Sequence, residues 1–112
     1  MHNTIKNSNT IIIVLCTLPN DKNFALKLIK TLLNLKLAAC ITLINEARSF
    51  YYWNNKIEDQ KELQLLIKTK KILQKAIFKK IKELHPYKIP ELLALPTISN
   101  DPNYLRWLYS NL

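Results

Sequence analysis

Glycine is absent from all 112 residues. Every backbone position that needs a positive φ must then be filled by a residue with a side chain, and asparagine tolerates that geometry best. A glycine-rich phosphate cradle of the nucleotide-binding kind is excluded as well. Arginine is scarce. Of the 17 basic residues only Arg48 and Arg106 carry a guanidinium, although that group reads phosphate better than an ammonium does. The lysines are spread along the chain and form no basic arm. A net charge of +9 and a pI of about 9.7 therefore reflect a general bias toward Ile, Lys and Asn, and no nucleic-acid partner is expected. Cys16 and Cys40 are the only cysteines, without zinc-like spacing, and read as small buried hydrophobes. The longest early apolar run, Ile11 to Cys16, is too short for a signal peptide or a membrane span. A cytoplasmic protein with no membrane partner is expected.

What is present is organised around Leu37 to Thr69, which reads as one long β-hairpin. Ala39, Ile41 and Leu43 alternate with Cys40, Thr42 and Ile44. After Asn45-Glu46-Ala47, a bulge or bend, Phe50 and Tyr52 fall on one side and Tyr51 and Trp53 on the other. Asn54-Asn55 is the tight turn. Leu63, Leu65 and Ile67 alternate on the return strand, with Asp59 and Glu62 reading as solvated. Four consecutive aromatics put rings on both faces, and a chain this short cannot cover both with its own helices. Phe50, Tyr51, Tyr52 and Trp53 are therefore assigned to a subunit interface.

Met1 to Asn9 lacks a hydrophobic period and is expected to be mobile; residues 10–112 form a single domain. The continuous apolar run Ile11 to Cys16 reads as a central strand, and Asn20 or Asp21 caps a helix buried through Phe24, Leu28, Leu32 and Leu35. A second helix runs from about Ile72 to Leu84 and stops before Pro86. Glu91 to Leu95 is a short strand closed by Pro96, and Asp101-Pro102 opens a terminal helix. The order is that of an α+β, ferredoxin-like fold, βαββαβ plus a C-terminal helix. The first strand would lie between the third and fourth, leaving the second at an edge.

Fold alone does not name a function. No Ser/His/Asp set or other catalytic constellation stands out, so no enzyme is expected. Among local strings, His85-Pro86-Tyr87-Lys88-Ile89-Pro90-Glu91 is the most unusual, because two prolines hold the intervening side chains in definite directions. His85 gains from a helix C-terminus when charged, or it serves as a metal or anion ligand; imidazole with thiolate suits copper or zinc.

Val14-Leu15-Cys16-Thr17, Lys36 to Ile41, Tyr51-Tyr52-Trp53, Leu66 to Thr69 and His85 to Glu91 occur in order at compatible spacing. In these strings the chain resembles the CutA divalent-cation tolerance proteins, from Ile11 to Leu112. The resemblance implies a PII-like homotrimer with long interlocking β-hairpins, a role in tolerance to divalent metals, and a copper ion as cofactor. By motif position it puts the metal ligands on Cys16 and His85. Leu84-His85 stands where the family often has two histidines, which removes one candidate ligand. Tyr87, Glu91 and Lys68 are candidates for lining a cleft. Two functions follow: a trimeric divalent-cation tolerance protein binding copper or another divalent metal, or a PII-like sensor or scaffold. In the second, clefts between subunits bind a small ligand or a protein partner and metal is incidental.

Overall fold

In the computed structural model, which describes residues 10–98 and 101–112, strand β1 spans Ile11–Pro19. The expectation for Met1 to Asn9 lies outside the described residues. Within β1, Ile12, Val14, Cys16 and Leu18 are buried on one face, while Ile13, Leu15 and Thr17 are half-buried on the other. The strand runs three residues past the apolar stretch because Thr17, Leu18 and Pro19 keep their partners Gln64, Leu63 and Glu62.

Helix α1, Lys22–Asn34, starts where the Asp21 carboxylate accepts the Phe24 N–H at 3.1 Å. Ala25, Leu28 and Leu32 bury its inner stripe. Its end shows what the missing glycine entails. Lys36 takes φ 59°, donating its N–H to the Leu33 carbonyl, and Leu37 donates to Leu32, both at 3.0 Å. That is the Schellman closure, completed by a residue with a Cβ.

Strands β2 (Cys40–Trp53) and β3 (Lys56–Lys70) form the expected hairpin. Asn54 and Asn55 have φ of 51° and 64°, the pair of left-handed residues a type I′ turn requires. Register is regular from Cys40↔Lys68 to Ile44↔Gln64, shifts, and resumes at Ala47↔Glu62. Glu46, φ 60°, sits in this bulge.

A 3₁₀ turn, Lys71–Leu73, leads into helix α2, Gln74–Leu84, anchored by Ile77 and Ile81. His85 leaves the helical region at ψ 133°, as a residue before proline must. Strand β4 is Leu93–Pro96, two residues shorter at its start than expected and inclusive of Pro96, which the outermost position allows. Helix α3, Pro102–Ser110, is capped by Asp101.

The four strands form one antiparallel sheet ordered β2-β3-β1-β4. α1 and α2 cover one face over Val14, Cys16, Leu65 and Ile67. α3 crosses one end of the opposite face, where Leu108 meets Ile11 and Ala39, and Lys68 and Lys70 lie over the rings of Tyr104 and Tyr109 at 5.7 and 5.6 Å. The rest of that face is free of helix. Beyond the helices the hairpin projects, giving a molecule of 50 × 29 × 24 Å.

Candidate functional site: the cleft between the hairpin and the 85–91 segment

Past the bulge the hairpin has two chemically different faces. Arg48, Phe50 and Tyr52 pair with Lys61, Asp59 and Ile57 on the outer face, so named because it continues the helix side. Arg48 forms an exposed ion pair with Asp59 and lies 5.4 Å from the Phe50 ring centroid. On the opposite, cleft face, Ser49, Tyr51 and Trp53 pair with Gln60, Glu58 and Lys56, and the Tyr51 hydroxyl donates to Gln60 Oε1 at 2.6 Å.

The two prolines of the 85–91 segment turn the chain back over the end of the sheet, and this closes a cleft of about 730 Å³. Tyr51, Trp53 and Glu58 form one wall, Tyr87 and Glu91 the other, and Glu62 and Thr17 line it as well. Glu62 was expected to be solvated; instead it is 5% exposed. It lies beneath Tyr87, whose hydroxyl donates to Glu62 Oε2 at 2.8 Å. Desolvation first, then that hydrogen bond to a carboxylate and its negative charge, push the Tyr87 phenol up to about 12. Oε1 of Glu91 is buried and has no hydrogen-bond donor. Of the three residues named as cleft candidates, Tyr87 and Glu91 line this cleft, and Lys68 lies over the Tyr104 ring at the other end of the sheet.

Cys16 and His85, far apart in sequence, meet at a single atom. The Cys16 thiol donates to the Thr17 carbonyl at 3.7 Å, and His85 Nε2 lies 2.8 Å from the same oxygen. His85 Nδ1 accepts the Tyr87 N–H at 3.0 Å, so Nε2 carries the proton it gives to Thr17. The ring sits 4.8 Å from Tyr87 and edge-on to Phe24 at 6.3 Å. Both nitrogens are therefore engaged. Cys16 is wholly buried, and burial, followed by the charges of Glu91 and Glu62, pushes its thiol up to about 12. To ligate a metal the pair would have to release a proton and one imidazole hydrogen bond, and would still need further ligands. Among the described residues no three His, Cys, Asp or Glu stand together as a metal site.

Of the four hairpin aromatics, Phe50 and Tyr52 stand on the outer face and Tyr51 and Trp53 in the cleft. The sequence missed Glu62 and Glu58. The usable signal was parity: both share the cleft face with Tyr51 once the bulge is counted.

A family model described as CutA1 divalent ion tolerance protein matches residues 12–111. The divalent-cation tolerance protein CutA of Pectobacterium atrosepticum is 46% identical over 101 residues, covering 90% of this chain and 91% of its own. The crystal structure of CutA1 from Oryza sativa superposes with a TM-score of 0.87 at 33% identity, over 91% of this chain and 93% of that one. A structure from Archaeoglobus fulgidus, described as a periplasmic divalent cation tolerance protein CutA, gives 0.85 at 28% identity, over 90% and 97%.

Proposed function

The chain belongs to the CutA1 divalent ion tolerance family, and from that premise we propose that it serves divalent-cation tolerance as a homotrimeric binding protein, not an enzyme. One observation carries this reading. The hairpin projects from the body with Phe50, Tyr52 and Ile57 exposed by 62, 75 and 65% on its outer face, beside the unpaired edge of β2. Apolar rings and a free strand edge together call for another protein surface, at roughly 25 cal/mol for each Å² covered before the costs of association. A second copy of the chain is the occupant, since a closed ring satisfies every such edge. The number three is what the resemblance implies. Tyr51 and Trp53 then line clefts at the subunit boundaries, where a small ligand sits.

Light scattering coupled to size exclusion tests the assembly. A mass three times 13.2 kDa is expected, and a folded monomer at micromolar concentration would remove it. Growth of a strain lacking the gene on copper, zinc and cadmium salts, with and without the restored chain, tests the tolerance role.

Direct ligation of copper by Cys16 and His85 is a second reading, favoured by their meeting at the Thr17 carbonyl. It requires groups from a neighbouring subunit, because two ligands seldom hold copper or zinc. Cys16→Ser and His85→Ala should each weaken copper binding, with the double variant little worse than either. Unchanged affinity in both would remove it. We place the protein in the cytoplasm, in keeping with two free thiols and with the lack of any helix long and apolar enough to cross a membrane among the described residues.

A further inference from the structure

We propose that the cleft above Glu62 binds an organic ammonium ion, a small amine carrying one or more protonated nitrogens. The proposal rests on the reading of the cleft as a ligand site and names its chemistry. Glu62 is nine-tenths buried or more, yet its one hydrogen-bond donor is the neutral hydroxyl of Tyr87. A carboxylate withdrawn from water calls for a cation. Among the described residues none is supplied: the ion pairs there are Arg48–Asp59 and Lys80–Glu83. Glu91 adds a buried oxygen without a donor, and Glu58 a third carboxylate on the same cleft.

The surroundings of these carboxylates sharpen the point. Basic residues outnumber acidic ones by 17 to 8 in the chain, yet among the described residues no lysine or arginine lines the cleft, Lys56 standing on the same face at the turn. An anionic ligand would find no partner there. Tyr51, Trp53 and Tyr87 supply instead the π faces that attract a desolvated cation. Size decides between a metal ion and an organic one. The cleft holds about 730 Å³, and its carboxylates are distributed along it without gathering into a group of three that could hold a metal. Spread acceptors between aromatic walls fit an extended amine better than a point charge.

The test is a calorimetric titration of the full-length protein with putrescine at low ionic strength, with the mass of the same sample read by light scattering. Saturable binding is expected, with quenching or enhancement of Trp53 fluorescence that Trp53→Phe abolishes. Glu91→Gln should weaken binding by about tenfold or more at unchanged mass. Glu62→Gln should do the same, and should it fail to fold, Glu91→Gln and the fluorescence change still decide the matter. No saturable heat with putrescine up to about 10 mM, or an affinity indifferent to Glu91→Gln, overturns the assignment. Binding of ATP in place of the amine overturns it too. A trimeric mass without amine binding sinks the ammonium assignment alone; a monomeric mass with amine binding sinks the assembly alone.

Discussion

On the outer face of the hairpin, Phe50, Tyr52 and Ile57 surround the Arg48–Asp59 ion pair, with Lys61 beside it; on the cleft face, Tyr51 and Trp53 stand with the carboxylates of Glu58 and Glu62, and Lys56 lies at the turn. The two faces are built from the same two strands, one residue out of step. What each leaves unsatisfied differs in kind. Outside, apolar area is bare and the one carboxylate is paired, which suits a protein surface. Inside, Trp53 at 63% exposure is as bare as Phe50 at 62%, but it stands beside carboxylates that pair with no cation among the described residues, which suits a cationic ligand. A sheet strand can serve two tasks because its period is two, and neighbouring residues need share no chemistry.

The sharpest way to break the comparison is to erase one face only. Phe50→Ala with Tyr52→Ala should dissociate the assembly, each ring contributing on the order of 3–5 kcal/mol if association buries it fully. Melting temperature should then become concentration-dependent, and light scattering should report the smaller mass. Phe50 also lines the cleft and Tyr52 does not, so Tyr52→Ala alone should spare amine binding there.

Alkali acts behind the cleft face. The Cys16 thiol ionises near 9.0 in the unfolded chain and near 12 when folded. Below pH 9 both states keep the proton, so this contribution to stability is fully present. Above 9 only the unfolded chain ionises, and stability falls as pH climbs toward 12. Tyr87, moved from 10.0 to about 12, has the same sign. The loss attributable to Cys16 has an upper limit of about 4 kcal/mol. Urea midpoints followed from neutral pH upward check it, and Cys16→Ala should flatten the decline.

Tyr87→Phe is a smaller, local change. It leaves Glu62 Oε2 without its donor, so unfolding free energy should drop by about 1–3 kcal/mol in chemical denaturation. Smallest of all is Asp59→Asn, which opens the outer ion pair in full solvent. Its effect on the melting temperature should be at the limit of detection and vanish in high salt.

Much of this architecture was legible in the sequence, and the cleft was not. The unbroken apolar run Ile11 to Cys16 announces one strand and the alternation of Leu63, Leu65 and Ile67 another, Asn54-Asn55 announces the turn, and Asp101-Pro102 announces a helix start, because each signal is local. The sheet order followed from those elements and the connections between them. Glu62 misled because its burial comes from Tyr87, twenty-five residues away. Periodicity carries no information about a loop folding back. His85 was ambiguous for the same reason: its two partners, Thr17 and Tyr87, lie sixty-eight and two residues away. Thr17 to Pro19 continue the strand beyond the apolar run because Leu18 is buried in the core and all three keep their partners on β3, neither of which a run broken at Thr17 announces.

The bulge at Glu46 carries a further consequence. Before it, Cys40, Thr42 and Ile44 share the helix-free side; after it, Ala47, Ser49, Tyr51 and Trp53 do, so even numbers hand over to odd. A strand has only two phases, and this irregularity is what sets the second half in the opposite one. Removing a single codon between Ile44 and Ala47 would erase the bulge and leave a regular ladder in which Ala47 still faces Glu62, so Tyr51 and Trp53 would keep the cleft face and Phe50 and Tyr52 the outer one. The bulge is thus the place where this strand can take up a one-residue change in length while its tip keeps both faces.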